Sequence, residues 1–141
     1  MLGARAKASD DRTARPGTPV PGILVSMRSL FVRDLAGADA AAAAEAPFSV
    51  VPLGSLEYHG EHAPFGTDAI LADGFAAALA RRRACLVFPC VHYGFVPRLT
   101  RVHGPGAGVP ADVQLAHLTA LLRGVRTFGP ARILLLNGHS E

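Results

Sequence analysis

A chain of 141 residues, half of them hydrophobic and 18% charged, has the size and composition of one globular domain with a real core, which excludes an intrinsically disordered protein. No apolar stretch approaches the roughly 18 residues that a membrane span needs, and two cysteines, Cys85 and Cys90, are too few for a disulfide framework. The net charge of +3 does not describe a nucleic-acid binder, because +2 of it falls in the first 26 residues and the remainder has no basic stripe with interleaved aromatics.

Residues 1–26 read as a disordered tail of small, basic and turn-forming residues, in which Pro16, Pro19 and Pro21 break any periodicity. The apolar run Gly22-Ile-Leu-Val25 is too short for the core of a signal peptide, so a cytoplasmic protein is expected. Cys85 and Cys90 then read as buried thiols in a reducing compartment. Met27 opens a different texture and marks a possible true start; the folded unit is placed at 27–141. A helix is expected over 29–45, carried by the alanine run Ala40 to Ala44. A strand at 48–53 follows, then a helix at 69–83 whose Ile70, Leu71, Phe75 and Leu79 are spaced to line one face. That helix ends in Arg81-Arg82-Arg83, where cations complement the helix dipole. Next come a strand at 85–89 and a long loop rich in glycine and proline. A helix at 111–127 shows a face of Val113, Leu115, Leu118, Leu121, Leu122 and Val125; Gly129-Pro130 stops it before a strand at 132–136. Strands alternating with helices predict an α/β fold, a parallel-rich sheet with helices on both faces.

Two short patterns mirror each other at strand ends: Glu57-Tyr58-His59 after the first apolar run and His139-Ser140-Glu141 after the last. Residues two apart in extended backbone share a side, so each pattern presents a carboxylate with an imidazole. Ligands of open α/β sheets collect beyond those strand ends. Of the six histidines, only His59 and His139 have a carboxylate two residues away. Two divalent ions sharing a water need such mixed oxygen and nitrogen donors. Asp68 is the obvious fifth donor, although Asp is also a preferred helix N-cap, and Glu57 with His59 alone could be a polar turn. His62 either orients a ligand or caps its loop. His117 reads as structural within its helix, while His92 and His103 stay open. Gly104-Pro-Gly-Ala-Gly108 lacks the lysine and the strand–loop–helix spacing of a phosphate-binding loop and reads as a turn.

From Phe48 to the last residue, these pieces resemble the creatininase family of metal-dependent amidohydrolases. The segments that carry the resemblance are Pro52-Leu-Gly-Ser-Leu-Glu-Tyr-His-Gly60, Glu61-His-Ala-Pro-Phe-Gly-Thr-Asp68, His92-Tyr-Gly94, His103-Gly-Pro-Gly106 and Asn137-Gly-His-Ser-Glu141. The resemblance implies an α/β/α fold and a dinuclear site with Glu57, His59, Asp68, His139 and Glu141 as ligands, Asp68 bridging. Two divalent ions per subunit are implied, zinc first, with manganese or iron as alternatives. Also implied are hydrolysis of a carbon–nitrogen bond in a small amide by metal-activated water, and a homo-oligomer, often a hexamer.

Departures bear on the substrate. Tyr58 stands where glutamine is common, Ser140 where the creatinine-hydrolysing type has a tyrosine, and Gly104 and Ala107 replace an aromatic and a threonine. With His62 and Ser140 as neighbours of the ligands, these changes move the expectation from creatinine toward a formamide or a peptide-like precursor. Glu141 speaks the other way, since many members have glycine there. Family members continue for about as long again, so the chain is expected to be an N-terminal portion, with a further catalytic group beyond Glu141. An inactive truncated remnant is the competing reading.

Overall fold

The computed structural model describes residues 30–96 and 103–139. The tail at 1–26, the start at Met27, Ser140 and Glu141 lie outside the described residues. Among the described residues four strands, β1 (Leu30–Phe31), β2 (Ser49–Leu53), β3 (Leu86–Val87) and β4 (Ile133–Asn137), pair in parallel in the order β1-β3-β2-β4. Among the described residues the α-helices α1 (Ala40–Ala44), α2 (Thr67–Ala80) and α3 (Ala111–Val125) accompany them.

β2 is the spine, and its β-branched Val50 and Val51 are fully buried on opposite faces. Val51 packs with Ala43 of α1, Leu86, Phe88 and Val125 of α3. Val50 packs with Ala76 of α2, Cys85 and Val87. Helices thus cover both faces of a parallel sheet, as the alternation of elements requires. Among the described residues no helix is long and apolar enough to cross a membrane.

Three expectations need correction. The helix over 29–45 is replaced by β1, two 3-10 turns at Val32–Asp34 and Gly37–Asp39, and the five-residue α1. Leu30 and Phe31 pair with Leu86 and Val87, so sheet formation overrides helix propensity there. The strand expected at 85–89 is ladder-paired only at Leu86 and Val87.

The third correction concerns α2, which buries Asp68, Ala69, Ala72 and Ala76 and turns Ile70, Leu71 and Phe75 outward. Small side chains face the sheet because the backbones nearly touch. A Cβ on Gly54 would lie 2.5 Å from the Ala69 Cα, and one on Gly138 would lie 2.4 Å from the Asp68 carbonyl oxygen. This close approach delivers the start of α2 to the strand ends. α3 follows its expected face only in its second half: Leu118, Leu121 and Leu122 are partly buried and Val125 is buried, but Val113 and Leu115 are exposed.

Candidate metal centre

Past β2, alternate side chains Ser55, Glu57 and His59 converge on the first turn of α2. Past β4, His139 arrives beside them because Asn137 pairs in parallel with Leu53 and the Gly138 amide donates to the Leu53 carbonyl at 2.8 Å. Asp68 is not a helix cap: Gly66 holds that position without a side-chain cap bond. The Asp68 carboxylate points instead at the strand ends.

Its two oxygens are divided between the imidazoles. Oδ1 lies 3.0 Å from His59 Nε2, and Oδ2 lies 2.9 Å from His139 Nδ1. Oδ2 also accepts from the Ser55 hydroxyl at 2.7 Å. Glu57 Oε1 is 3.1 Å from His139 Nδ1 and 4.0 Å from His59 Nε2. The outer ring nitrogens are tethered to backbone: His59 Nδ1–H donates to the Glu57 carbonyl at 2.9 Å, and His139 Nε2–H donates to the Phe95 carbonyl at 3.0 Å. A backbone carbonyl on one ring nitrogen fixes which nitrogen faces inward.

Glu57 and Asp68 are the only buried acidic residues among the described ones, at 6% and 7% exposure. Burial pushes the Asp68 carboxyl upward. Hydrogen bonds from Ser55, His139 and His59, with the His59 charge, outweigh that and hold it below the usual carboxylate range. Burial likewise pulls His59 down, and its bond to the Glu57 carbonyl plus the neighbouring carboxylates leave it raised. Glu57 Oε2 is buried without a hydrogen-bond partner.

Two carboxylates, two oriented imidazoles and an orphaned buried oxygen fit a divalent cation. Donor atoms at about 2.1 Å from one octahedral ion stand about 3.0 Å apart, and at roughly 2.0–2.3 Å from a tetrahedral one about 3.3–3.8 Å; the 2.9 and 3.1 Å separations here are close to the first and a few tenths of an ångström short of the second. Glu57, Asp68 and His139 each offer an atom within 4.8 Å of the others'.

The other histidines do not join. His62 is exposed in the turn beyond Gly60, and His103 is exposed. His117 is not structural in the expected sense: it is exposed and lines a cavity with His92, Tyr93 and Leu121. The glycine-rich turn does more than reverse the chain. Ala107 N–H donates to the Leu56 carbonyl at 2.7 Å, Gly104 abuts Tyr58, and Gly106 lies against the Glu57 Cβ, so the turn backs the segment that carries Glu57.

Three supports went unnoticed in the sequence. Ser55 was visible in principle, two residues before Glu57 and so on the same side. Asn137 clamps the His139 backbone, accepting its N–H and donating to its carbonyl. The Gln114 side chain accepts the Phe95 N–H and so steadies the carbonyl that holds His139; nothing in a single sequence links residues so far apart. Ser55→Ala is expected to weaken divalent-metal affinity about tenfold, in the range for lost outer hydrogen bonds to ligands, with the fold retained. Competition against a chromophoric chelator, with circular dichroism as control, checks this.

The family profile described as Creatininase: Creatinine amidohydrolase matches residues 34–141. A creatinine amidohydrolase of Pseudomonas putida is 31% identical over 122 residues, 81% of this chain and 46% of that protein. A 3-dehydro-scyllo-inosose hydrolase of Thermotoga maritima is 31% identical over 93 residues, 65% of this chain and 30% of that protein. A mutant creatininase of zinc–zinc type superposes with a TM-score of 0.66 at 29% identity, over 79% of this chain and 45% of that one. A manganese creatininase gives 0.67 at 26%, over 79% and 46%. The chain spans less than half the length of each of these proteins.

Proposed function

This chain belongs to the creatininase family, and from that premise we propose that it carries the metal-binding part of a hydrolase acting on a carbon–nitrogen (amide) bond of a small molecule. Asp68 carries the reading. One of its oxygens faces each imidazole beside buried Glu57, the disposition a carboxylate shared by two ions needs. Glu57, His59, Asp68, His139 and Glu141 are the proposed ligands of two divalent cations, zinc first, with manganese or iron as alternatives. Zinc and manganese forms of creatininase support that class of ion. The chemistry such ions supply when bound is polarisation of the amide carbonyl and acidification of a water.

The chain's own groups prepare the site. The Glu57 and Phe95 carbonyls hold the outer N–H of His59 and His139, leaving the inner nitrogens as donors. The Ser55 hydroxyl fixes Asp68 Oδ2. In the overall reaction the C–N bond is replaced by a C–O bond from water, and the amine leaves with a proton from that water.

The relatives are named for different substrates, so family membership leaves the substrate open. The small Gly104 and Ala107 behind Tyr58 and Leu56 favour a formamide or peptide-like amide over creatinine. The exposed Ile70, Leu71 and Phe75 on α2 support the homo-oligomer. Elemental analysis after loading with manganese should find two ions per chain, and metal at 100 times the Kd of a site should add about 2.7 kcal/mol to stability for each ion bound. The metal-loaded protein is then offered creatinine, an N-formyl amide and a short peptide side by side. Binding of no ion overturns the ligand set; bound ions without turnover of any amide favour the inactive-remnant reading.

A further inference from the structure

The end of β2 is not the only place where this fold sets a donor, a spacer and a histidine after a strand. Cys90-Val91-His92 follow β3 as Glu57-Tyr58-His59 follow β2. The middle residue, Val91, is bridged in parallel to Leu53; its N–H donates to the Pro52 carbonyl at 3.0 Å, and its carbonyl accepts from Gly54 N–H at 2.9 Å. The tripeptide backbone is therefore pinned to β2. His92 Nδ1–H donates to the Cys90 carbonyl at 2.9 Å, repeating the tether of His59 to the Glu57 carbonyl. That bond leaves Nε2 with its lone pair. α2 supplies an aspartate to both places. Asp68 serves the first, and Asp73, five residues later and so about 140° further around the helix, serves the second.

From this repetition we propose a second cation site, made by Asp73, Cys90 and His92, that takes one zinc-class ion. The three residues each offer a ligand atom within 4.8 Å of the others'. Tetrahedral zinc donors stand about 3.3–3.8 Å apart for bonds of roughly 2.0–2.3 Å. Asp73 and His92 are exposed, so their side chains have room to rotate and close the difference.

The site opens into a cavity of about 380 Å³ on the α2 side of the sheet, whose walls include Phe31 and Arg33 as well as the three donors. One thiolate, one imidazole and one carboxylate select zinc, cobalt or cadmium over manganese and magnesium, which prefer oxygen donors. Three protein ligands leave a coordination position open. The metal-free thiol is protonated, since burial and then the Asp73 charge push Cys90 up to about 11. Binding therefore releases that proton to solvent, and thiolate plus Asp73 carboxylate balance the divalent charge. A site without net charge is compatible with Arg33, which is itself paired with Asp34 at 3.6 Å.

The probe is cobalt(II) added to the full chain, read by the near-ultraviolet thiolate-to-cobalt charge-transfer band. The site requires a band whose full intensity corresponds to one thiolate-bound cobalt per chain, that is displaced by zinc and not by manganese, and that disappears in Cys90→Ser. Asp73→Asn and His92→Ala, both at exposed positions, should each weaken the cobalt binding read by this band at least tenfold. Asp68→Asn should leave the band in place, which separates this site from the buried pair of carboxylates. Circular dichroism confirms folding of every variant. The assignment is overturned by the absence of a band in the unmodified chain, by a band surviving Cys90→Ser, or by one indifferent to both Asp73→Asn and His92→Ala. Loss of the band in folded Asp68→Asn likewise overturns it.

Discussion

Asp68→Ala is expected to lower divalent-metal affinity by about 100-fold or more, whereas His62→Ala changes it less than about threefold. The contrast follows from position. Asp68 is buried between two imidazoles and offers an oxygen to each, so under the proposed two-ion arrangement its removal would take a donor from both ions at once. His62 is exposed and stands outside the cluster; at most it would act through a neighbour, where losses of about 10–100-fold are the upper range. Titration calorimetry with zinc on the two variants reads the difference directly. Equal losses would promote His62 to a direct ligand, and an Asp68→Asn variant that keeps both ions would remove Asp68 from the ligand set.

Gly54→Ala is the largest expected change in stability, a loss of about 3 kcal/mol or more and a melting temperature lower by about 10 °C or more. The added methyl would meet the Ala69 Cα at 2.5 Å and its amide nitrogen at 2.6 Å. Both are backbone atoms of α2, so no side chain can swing aside and the helix itself must move. Domains of this kind have only about 5–15 kcal/mol in total. Ala69 adjoins Asp68, so any variant that still folds should also bind metal poorly. Gly74→Ala is the matching control. It lies in α2 with nothing within 4 Å of an added Cβ, and it should gain up to about 1 kcal/mol from helix propensity alone. Thermal melts of both variants settle the matter; an unchanged melting temperature in Gly54→Ala would mean that the helix is not seated as tightly as described.

Much of the site was legible because strand ends and the two-residue repeat are local properties. Glu57, His59 and His139 could be placed from them, and the structure does bring their side chains together with Asp68. Whether Asp68 caps its helix or faces the strand ends was not legible, since the first turn of a helix suits both; the fold puts Gly66 at the cap position and turns the Asp68 carboxylate to the two imidazoles. The inward face of α2 was misread for a related reason. Large apolar residues at helical spacing ordinarily mark the core, but here two glycines on neighbouring segments let alanines take that place. The alanine run did form helix, though only five residues of it, because pairing of Leu30 and Phe31 with β3 claims the segment before it. Cys90-Val91-His92 is just as local a pattern, but a thiol two residues from a histidine is chemically less conspicuous than a carboxylate in that place.

The spacing of the donors along the chain has a consequence for how the protein holds itself together. Glu57, His59 and Asp68 lie within 12 residues, whereas His139 comes 71 residues after Asp68. The first three can gather while most of the chain is unfolded; the fourth arrives only when β4 has zipped onto β2. β4 is an outer strand among the described residues, paired on one side only, and its Leu134 and Leu135 are 42% and 43% exposed, so it has a free edge from which to peel. An ion gripped from both sides would act as a removable cross-link over that long loop, whose closure entropy has already been met in the folded state. The same ion that serves chemistry would thereby clasp the edge of the sheet, and its departure would loosen that edge first.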